Sequence, residues 1–358
     1  MYQDKKVIVC TAAGRRRYMQ YLIPFILRSE IVDRYDIWIN THNGADIEFF
    51  KQLKTKCAPQ YAQKINLVWQ PDGVVDGVST INAFYKQCTE ENAVYFKIDD
   101  DIVWMEPDAI ENMVKFRVEH PEYFLVSPLV INNATSTYLL QVTDKIKLNA
   151  YYNSHADGAV LWRNDRFAAE LHQWFLDKKL KTGTYTDLHC GVHPQGIARF
   201  SINAILWFGS EMKRFEGVVP GDDEEFLSCI YPAKNGLANC FNGNVLVSHF
   251  AFYPQRAELD RQCILEQYGE YLHQQWAKDP IMKGIDDAIQ GIMKDVAQRE
   301  TEIMQQPSPY KQPEVVVAPV DNSAVARIYK MLVPKKIREA IYDARHKEPE
   351  ETRFIVED

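Results

Sequence analysis

Apolar residues come as short continuous runs in the first hundred positions, and behind each run they recur at helical spacing. Lys6 to Cys10 reads as a buried strand, and after the loop Thr11-Ala12-Ala13-Gly14-Arg15-Arg16-Arg17 an amphipathic helix follows from about Tyr18 to Arg28. Asp36 to Asn40 predicts a second strand, Ile47 to Leu53 a helix, Ile65 to Trp69 a third strand and Ser79 to Cys88 another helix. Val94 to Ile98 predicts a fourth strand. Strands alternating with helices in this way make an α/β fold with a mostly parallel sheet flanked by helices, and such sheets bind ligands at the carboxyl ends of their strands.

Beyond Leu125 the pattern is mixed as far as Phe252, with short apolar runs at Phe124 to Val126, Ala159 to Trp162 and Val245 to Val247 between loops rich in His, Tyr and Asn. This half is expected to cover one edge of the sheet and build a second substrate site. After Arg256 the chain turns helical and charged to about Gln306, and Pro307 to Pro319 reads as a Pro-rich linker. Ser323 to Lys347 interleaves Lys and Arg with Val, Ile, Leu and Met, which suits either an anionic membrane surface or a helix packed back on its own domain. The expected division is a catalytic domain over 1–255, a helical C-terminal extension over 256–306, a linker over 307–322 and a basic amphipathic tail over 323–358.

The 358 residues give ample length for a large core, and the net charge of -8 argues against a nucleic-acid partner, which would require a basic face. The seven cysteines are scattered with no C-x-x-C pair, as expected of reduced thiols. Met1 to Lys6 is polar and leads straight into a strand, and no apolar run approaches membrane-spanning length. A cytoplasmic protein is therefore expected, with peripheral contact at the inner face of the membrane through the tail. No G-x-G-x-x-G, G-x-x-x-x-G-K-[ST] or H-E-x-x-H motif is present.

The chemistry is concentrated in Tyr95-Phe96-Lys97-Ile98-Asp99-Asp100-Asp101-Ile102-Val103-Trp104. Three carboxylates between apolar residues are costly unless a cation neutralises them. Acids at a strand end are often a solvated turn, but here apolar residues enclose them on both sides. Strand alternation would send Asp99 and Asp101 to one side and Asp100 to the other. Such a pair suits Mg²⁺ or Mn²⁺, which complete their shells with substrate phosphates. A second acid cluster, Asp222-Asp223-Glu224-Glu225, stands at a helix start after Pro220-Gly221. Asp222 is expected to cap that helix, leaving Asp223 and Glu224 free to accept a proton. His249 follows the apolar run Val245 to Val247.

The order strand with Thr-Ala-Ala loop, β/α units, strand with Asp-Asp-Asp, helix-starting Asp-Asp-Glu-Glu and late His resembles the GT-A-type nucleotide-sugar glycosyltransferases, over roughly Lys6 to Phe252. The resemblance implies a Rossmann-like GT-A sheet and a D-x-D metal site, with inverting members the nearest pattern. It implies Asp101 and Asp99 with His249 as ligands to Mn²⁺ or Mg²⁺, and Asp99, Asp100, Thr11, Ala12, Arg16 and Asn40 as contacts to the nucleotide. Asp223 falls on the general base, with Glu224 as its alternative. The chain departs from the family in carrying Asp222-Asp223 for the usual Glu-Asp and Asn40-Thr41-His42-Asn43 where an Asp often meets the base.

The implied activity is metal-dependent transfer of a sugar from a nucleotide-sugar donor to a hydroxyl acceptor on a glycan, lipid-linked saccharide or surface polysaccharide, with inversion. Trp207, Phe208, His189 and His193 are the expected acceptor-side residues, Phe208 being the one more simply explained by packing. The rival expectations are a sugar-1-phosphate nucleotidyltransferase, disfavoured by a first loop with a single Gly, and a non-catalytic glycan-binding protein with a degenerate transferase fold.

Overall fold

The computed structural model describes residues 1–311 and 353–356. Its first half alternates as the apolar pattern predicts: β1 Lys6–Ala13, α1 Arg16–Arg28, β2 Arg34–Ile39, α2 Gly44–Lys56, β3 Ile65–Trp69 and β4 Ala93–Ile98. After the acid triplet come β5 Ile102–Met105, α3 Ala109–Glu119, β6 Tyr123–Ile131, α4 Ala134–Val142 and α5 Asp165–Trp174. The remaining strands are β7 Val192–Gln195, β8 Ala204–Phe208 and β9 Ala238–His249, followed by the long helices α6 Ile264–Trp276 and α7 Pro280–Met304.

The strands form one sheet in the order β3-β2-β1-β4-β8-β6-β9-β5, with β7 also beside β9. β1 to β4 run parallel, as do β6 and β9, while β8, β5 and β7 pair antiparallel with their neighbours. The fold is thus the expected α/β class: a mixed, mostly parallel sheet with helices against it. Both faces of the central strands are covered: Val7 and Val9 belong to one core, Ile8 and Cys10 to the other. Strands buried on both sides have no polar face to show, which is why they read as continuous apolar runs.

The helices after Arg256 join these same cores. α7 starts on Pro280 with Asp279 accepting from the amides of Ile281 and Met282, and it buries Ile285, Ile289, Ile292 and Val296 at spacings of one helical turn. These side chains share a core with the sheet residues Val7 and Val9. Among the described residues no helix is long and apolar enough to cross a membrane.

The helix expected over Ser79 to Cys88 is present as a 3₁₀ helix, Gly77–Gln87, and the apolar run Ala159 to Trp162 lies in a turn. One local expectation is corrected. Trp207 and Phe208 do not stand in an acceptor loop. They end β8, where Trp207 is fully buried and stacks on Tyr95 at 5.8 Å. The linker and tail expected over 307–358 lie outside the described residues except for 307–311 and 353–356. In the latter, Phe354 is fully buried against Phe167.

Candidate active site

The acid triplet is a tight turn, not a continuation of the strand. β4 ends at Ile98, and the amide of Ile102 bonds back to the carbonyl of Asp99 at 3.2 Å before β5 begins. Two cations meet the three carboxylates, Lys97 at Asp99 and Arg15 at both Asp100 and Asp101. Asp99 takes the ammonium of Lys97 at 2.6 Å on one oxygen and the amide of Asn203 at 3.3 Å on the other. Asp100 accepts from the backbone of Gly14 at 3.0 Å and from the Arg15 guanidinium. Asp101 shares Arg15, at 2.9 Å, and has Arg256 at 3.9 Å and His249 at 3.5 Å.

Sheet register explains why these groups meet. β5 pairs antiparallel with β9 so that Ile102 faces His249, and the amide of Phe250 donates to the carbonyl of Asp101 at 2.8 Å. β8 pairs antiparallel with β4, Ile98 against Ala204, which sets Asn203 beside Asp99. Asn203 is held in turn by the side chain of Asn133, the fully buried cap of α4. Arg15 comes from the loop after β1, the parallel neighbour of β4.

Electrostatics separates the two flanking acids. Burial pushes the Asp99 carboxyl above its ordinary range, against the pull of Lys97 and with the help of the Asp101 charge. Burial would do the same to Asp101, but Arg15, His249 and Arg256 outweigh it and hold Asp101 well below the usual carboxylate range. Asp101 is thus the fixed negative charge of the pair. Lys97 is itself buried, yet Asp99 and Asp223 lift it above its ordinary value, so it stays charged. The charge of Asp223 reaches Lys97 as well, although the ammonium bonds to Asp99 and the carbonyl of Ile202.

In that second cluster Asp222 caps the short helix as expected, accepting from the amide of Glu225 at 2.9 Å. Asp223 accepts from the buried phenol of Tyr85 at 2.9 Å, and burial with the neighbouring Asp223 charge raises Tyr85 well above its ordinary value. Glu224 is turned to Arg199, at 2.7 Å, and burial raises its carboxyl against that pull.

The other expected nucleotide contacts bond outside the triplet where they bond at all. Thr11 is inside β1, fully buried, and accepts from Tyr35. Arg16 binds Asp46 at 2.9 Å and Glu300 at 3.0 Å, and Asn40 bonds to Gly77 and Thr80. Ala12 is half-buried on β1. Of the acceptor candidates, His189 is paired with Glu106 at 3.1 Å and His193 with the carbonyl of Cys190 at 2.8 Å.

Lys97, Tyr85, Asn203 and Arg256 are the site residues that motif matching passed over. Lys97 carried a signal, since a Lys inside a buried strand requires a buried acid to pair with.

The donor set tests the expected cation. Among the described residues no group of three or more His, Cys, Asp or Glu side chains gathers as a complete metal cage. Two side chains do face each other: His249 donates from Nδ1 to the carbonyl of Asn132 at 3.1 Å and presents Nε2 to Asp101 Oδ1 at 3.5 Å. One imidazole and one carboxylate fit a Mg²⁺ or Mn²⁺ ion that takes its other oxygens from substrate phosphates and water. Nη1 of Arg15 and Nε of Arg256 are buried with no hydrogen-bond partner, an arrangement that leaves donors in want of an anion.

No protein-family model matches the chain, and no curated protein matches it. Among solved structures it is similar to a CMP:2-keto-3-deoxy-manno-octonic acid synthetase complexed with CTP, at 10% identity and TM-score 0.37 over 73% of this chain and 98% of that one. It is similar to a mycobacterial protein at 11% identity and TM-score 0.37, over 75% of this chain and 74% of the other. It is also similar to galactosyltransferase LgtC in complex with donor and acceptor sugar analogues, at 10% identity and TM-score 0.34 over 74% and 95% of the two chains. Likenesses at this level say nothing of activity, which has to come from the residues themselves.

Proposed function

We propose that this chain is a glycosyltransferase that moves a sugar from a nucleotide-sugar to a hydroxyl acceptor. One observation carries the reading: an ionised Asp101 facing the Nε2 of His249, beside two arginines with unmet donors, at the carboxyl edge of the sheet, with Asp223 near enough for its charge to act on Lys97. That edge offers a seat for a diphosphate and, a short way off, a carboxylate with a proton-accepting role.

Asp101 and His249 would hold Mg²⁺ or Mn²⁺, and a divalent ion bound there supplies Lewis-acid stabilisation of a leaving diphosphate. Arg15 and Arg256 receive phosphate oxygens on their unmet N–H groups. Asp99, fixed by Lys97 and Asn203, faces the nucleoside. Asp223 accepts the proton of the attacking hydroxyl while Tyr85 holds its other oxygen in place, and displacement in a single step inverts the anomeric centre. The test is a panel of nucleotide-sugars incubated with the full chain and Mn²⁺, read as release of nucleoside diphosphate. Turnover of a nucleoside triphosphate with a sugar phosphate, and of no nucleotide-sugar, would instead make the protein a nucleotidyltransferase.

A further inference from the structure

A second cavity lies at the other end of the sheet. Its volume is about 680 Å³, within the range of small-molecule sites. α1 fixes the separation: the helix begins next to Arg15 at the acid triplet and ends at Arg28 in the cavity wall. Its 13 residues put about 20 Å between them. β5 makes the same connection, with Asp101 before it and Glu106 of the cavity wall after it. The cavity is therefore separate from the candidate transfer site.

Aromatic rings build much of its wall. Trp104 packs edge-on against Tyr185 at 5.3 Å, and Trp276 packs edge-on against Phe25 at 5.7 Å, both tryptophans being almost fully buried. Tyr185 and Tyr271 stand in front of them, half-buried, and among the described residues neither phenol hydroxyl has a hydrogen-bond partner. Two hydroxyls left open over an apolar floor offer a ring face and a polar edge at once.

The charges of the wall are mostly spent on one another. Arg28 pairs with Asp279 at 3.5 Å, Lys181 with Asp177 at 2.6 Å, and Glu106 with His189 and the amide of Leu246. Glu111 accepts from Ser29. Asp108 and Lys278 are the exceptions: Asp108 is exposed, holds a left-handed φ of 60° and makes no cap bond to the helix it precedes, and Lys278 bonds only to the amide oxygen of Gln275 at 3.0 Å. Open charges of both signs, Asp108 and Glu111 against Lys278, leave the cavity without a strong preference for an anion or a cation. A neutral ligand with an apolar face and several hydroxyls would use every open group.

We propose that this cavity binds a neutral oligosaccharide, whose sugar faces lie against Tyr185 and Tyr271 and whose hydroxyls bond to their phenols and to Asp108. The site needs no nucleotide, so it stands or falls independently of the proposed transfer chemistry.

The experiment titrates the full chain with maltotetraose, cellotetraose and chitotetraose by calorimetry, with tryptophan fluorescence as a second readout because Trp104 and Trp276 form the wall. At least one tetrasaccharide is expected to bind at micromolar to millimolar concentration and to shift the fluorescence. The double variant Tyr185→Ala, Tyr271→Ala should weaken that binding at least about tenfold, and Asp108→Asn should weaken it less. A melting curve of each variant confirms folding, and Asp101→Ala should leave the binding unchanged. No binding by any of the three at millimolar concentration, or binding that survives the double variant, overturns the proposal.

Discussion

His249 presents Nε2 to Oδ1 of Asp101 at 3.5 Å while its Nδ1 is held by the carbonyl of Asn132, so the imidazole is fixed with Nε2 facing a carboxylate. A divalent cation between the two groups would take a ligand from each. His249→Ala and Asp101→Ala are each expected to reduce, by at least about tenfold, the gain in nucleoside diphosphate affinity that Mn²⁺ brings. Calorimetry with Mn²⁺ and with EDTA checks this. Equal affinity in the two conditions for the unaltered chain removes the metal from the reading.

Asp223 is the carboxylate proposed to take the acceptor proton, and Tyr85 donates to one of its oxygens. Asp223→Asn should lower the rate of sugar transfer by at least about 100-fold with donor affinity nearly unchanged, since the proton moves only in the transition state. Glu224→Gln should cost less, because Glu224 is turned to Arg199. A larger loss in Glu224→Gln moves the base by one residue.

The two arginines at Asp101 should separate stability from binding. Arg15 is the hydrogen-bonded partner of both Asp100 and Asp101, each nearly buried, so Arg15→Gln leaves two buried carboxylates short of their cation. A loss of about 3 kcal/mol in stability is expected, the low end for a broken buried pair because the Arg15 side chain is 30% exposed. Arg256 lies 3.9 Å from Asp101 and is 35% exposed. Arg256→Gln should leave the melting temperature nearly unchanged and weaken nucleoside diphosphate binding. The reverse pattern would make Arg256 the structural cation.

Sequence alone revealed the first four strands and the acid triplet for one physical reason: buried strands and buried charge both leave a mark on residue type. Three adjacent acids among apolar residues require a charge partner whatever the fold. Their partners were harder to read. In the run Arg15-Arg16-Arg17 only Arg15 meets the triplet, because the start of α1 turns Arg16 to Asp46 and Arg17 to Asp260. Helix phase decides this, and the phase of a first turn is set by tertiary packing. Asn203 and Arg256 depend on the registers of β8 and β9, pairings distant in sequence that no local pattern encodes. Trp207 read as a loop aromatic because β8 is short and antiparallel within a mostly parallel sheet, outside the β/α rhythm that located the other strands.

His172 carries a pH dependence that the active site does not share. It is fully buried between the phenol of Tyr268 and the carbonyl of Phe250, and burial lowers its pKa to about 3. The unfolded chain binds that proton near pH 6.5 and the folded chain does not until about 3. Stability is therefore complete above about pH 6.5 and falls as the pH drops through that window, by up to about 1.4 kcal/mol per unit from this residue. His172→Gln should flatten the acid limb of a plot of melting temperature against pH. An unchanged slope assigns the acid sensitivity to other groups.

The C-terminal residues make a contact whose loss can be measured directly. Phe354 is fully buried against Phe167, and the amides of Phe354 and Ile355 both donate to the carboxylate of Glu170. Ile355 bridges Leu148, and the carbonyl of Phe354 accepts from Asn149 at 2.8 Å. A segment docked by a buried ring and paired backbone contributes to the stability of the body it joins, as the docked alternative for the tail requires. Phe354→Ala removes the ring, and a core Phe costs about 3–5 kcal/mol when truncated. The cost here should be smaller, because a terminal segment can detach and cap the loss at its own docking free energy. A clear drop in melting temperature is expected, with sugar transfer retained by the molecules that remain folded. Cosedimentation with anionic vesicles gives the second readout: vesicle binding that is unchanged while the melting temperature falls marks Phe354 as a structural anchor. A melting temperature equal to that of the unaltered chain would mean that the docked ring adds nothing to the fold.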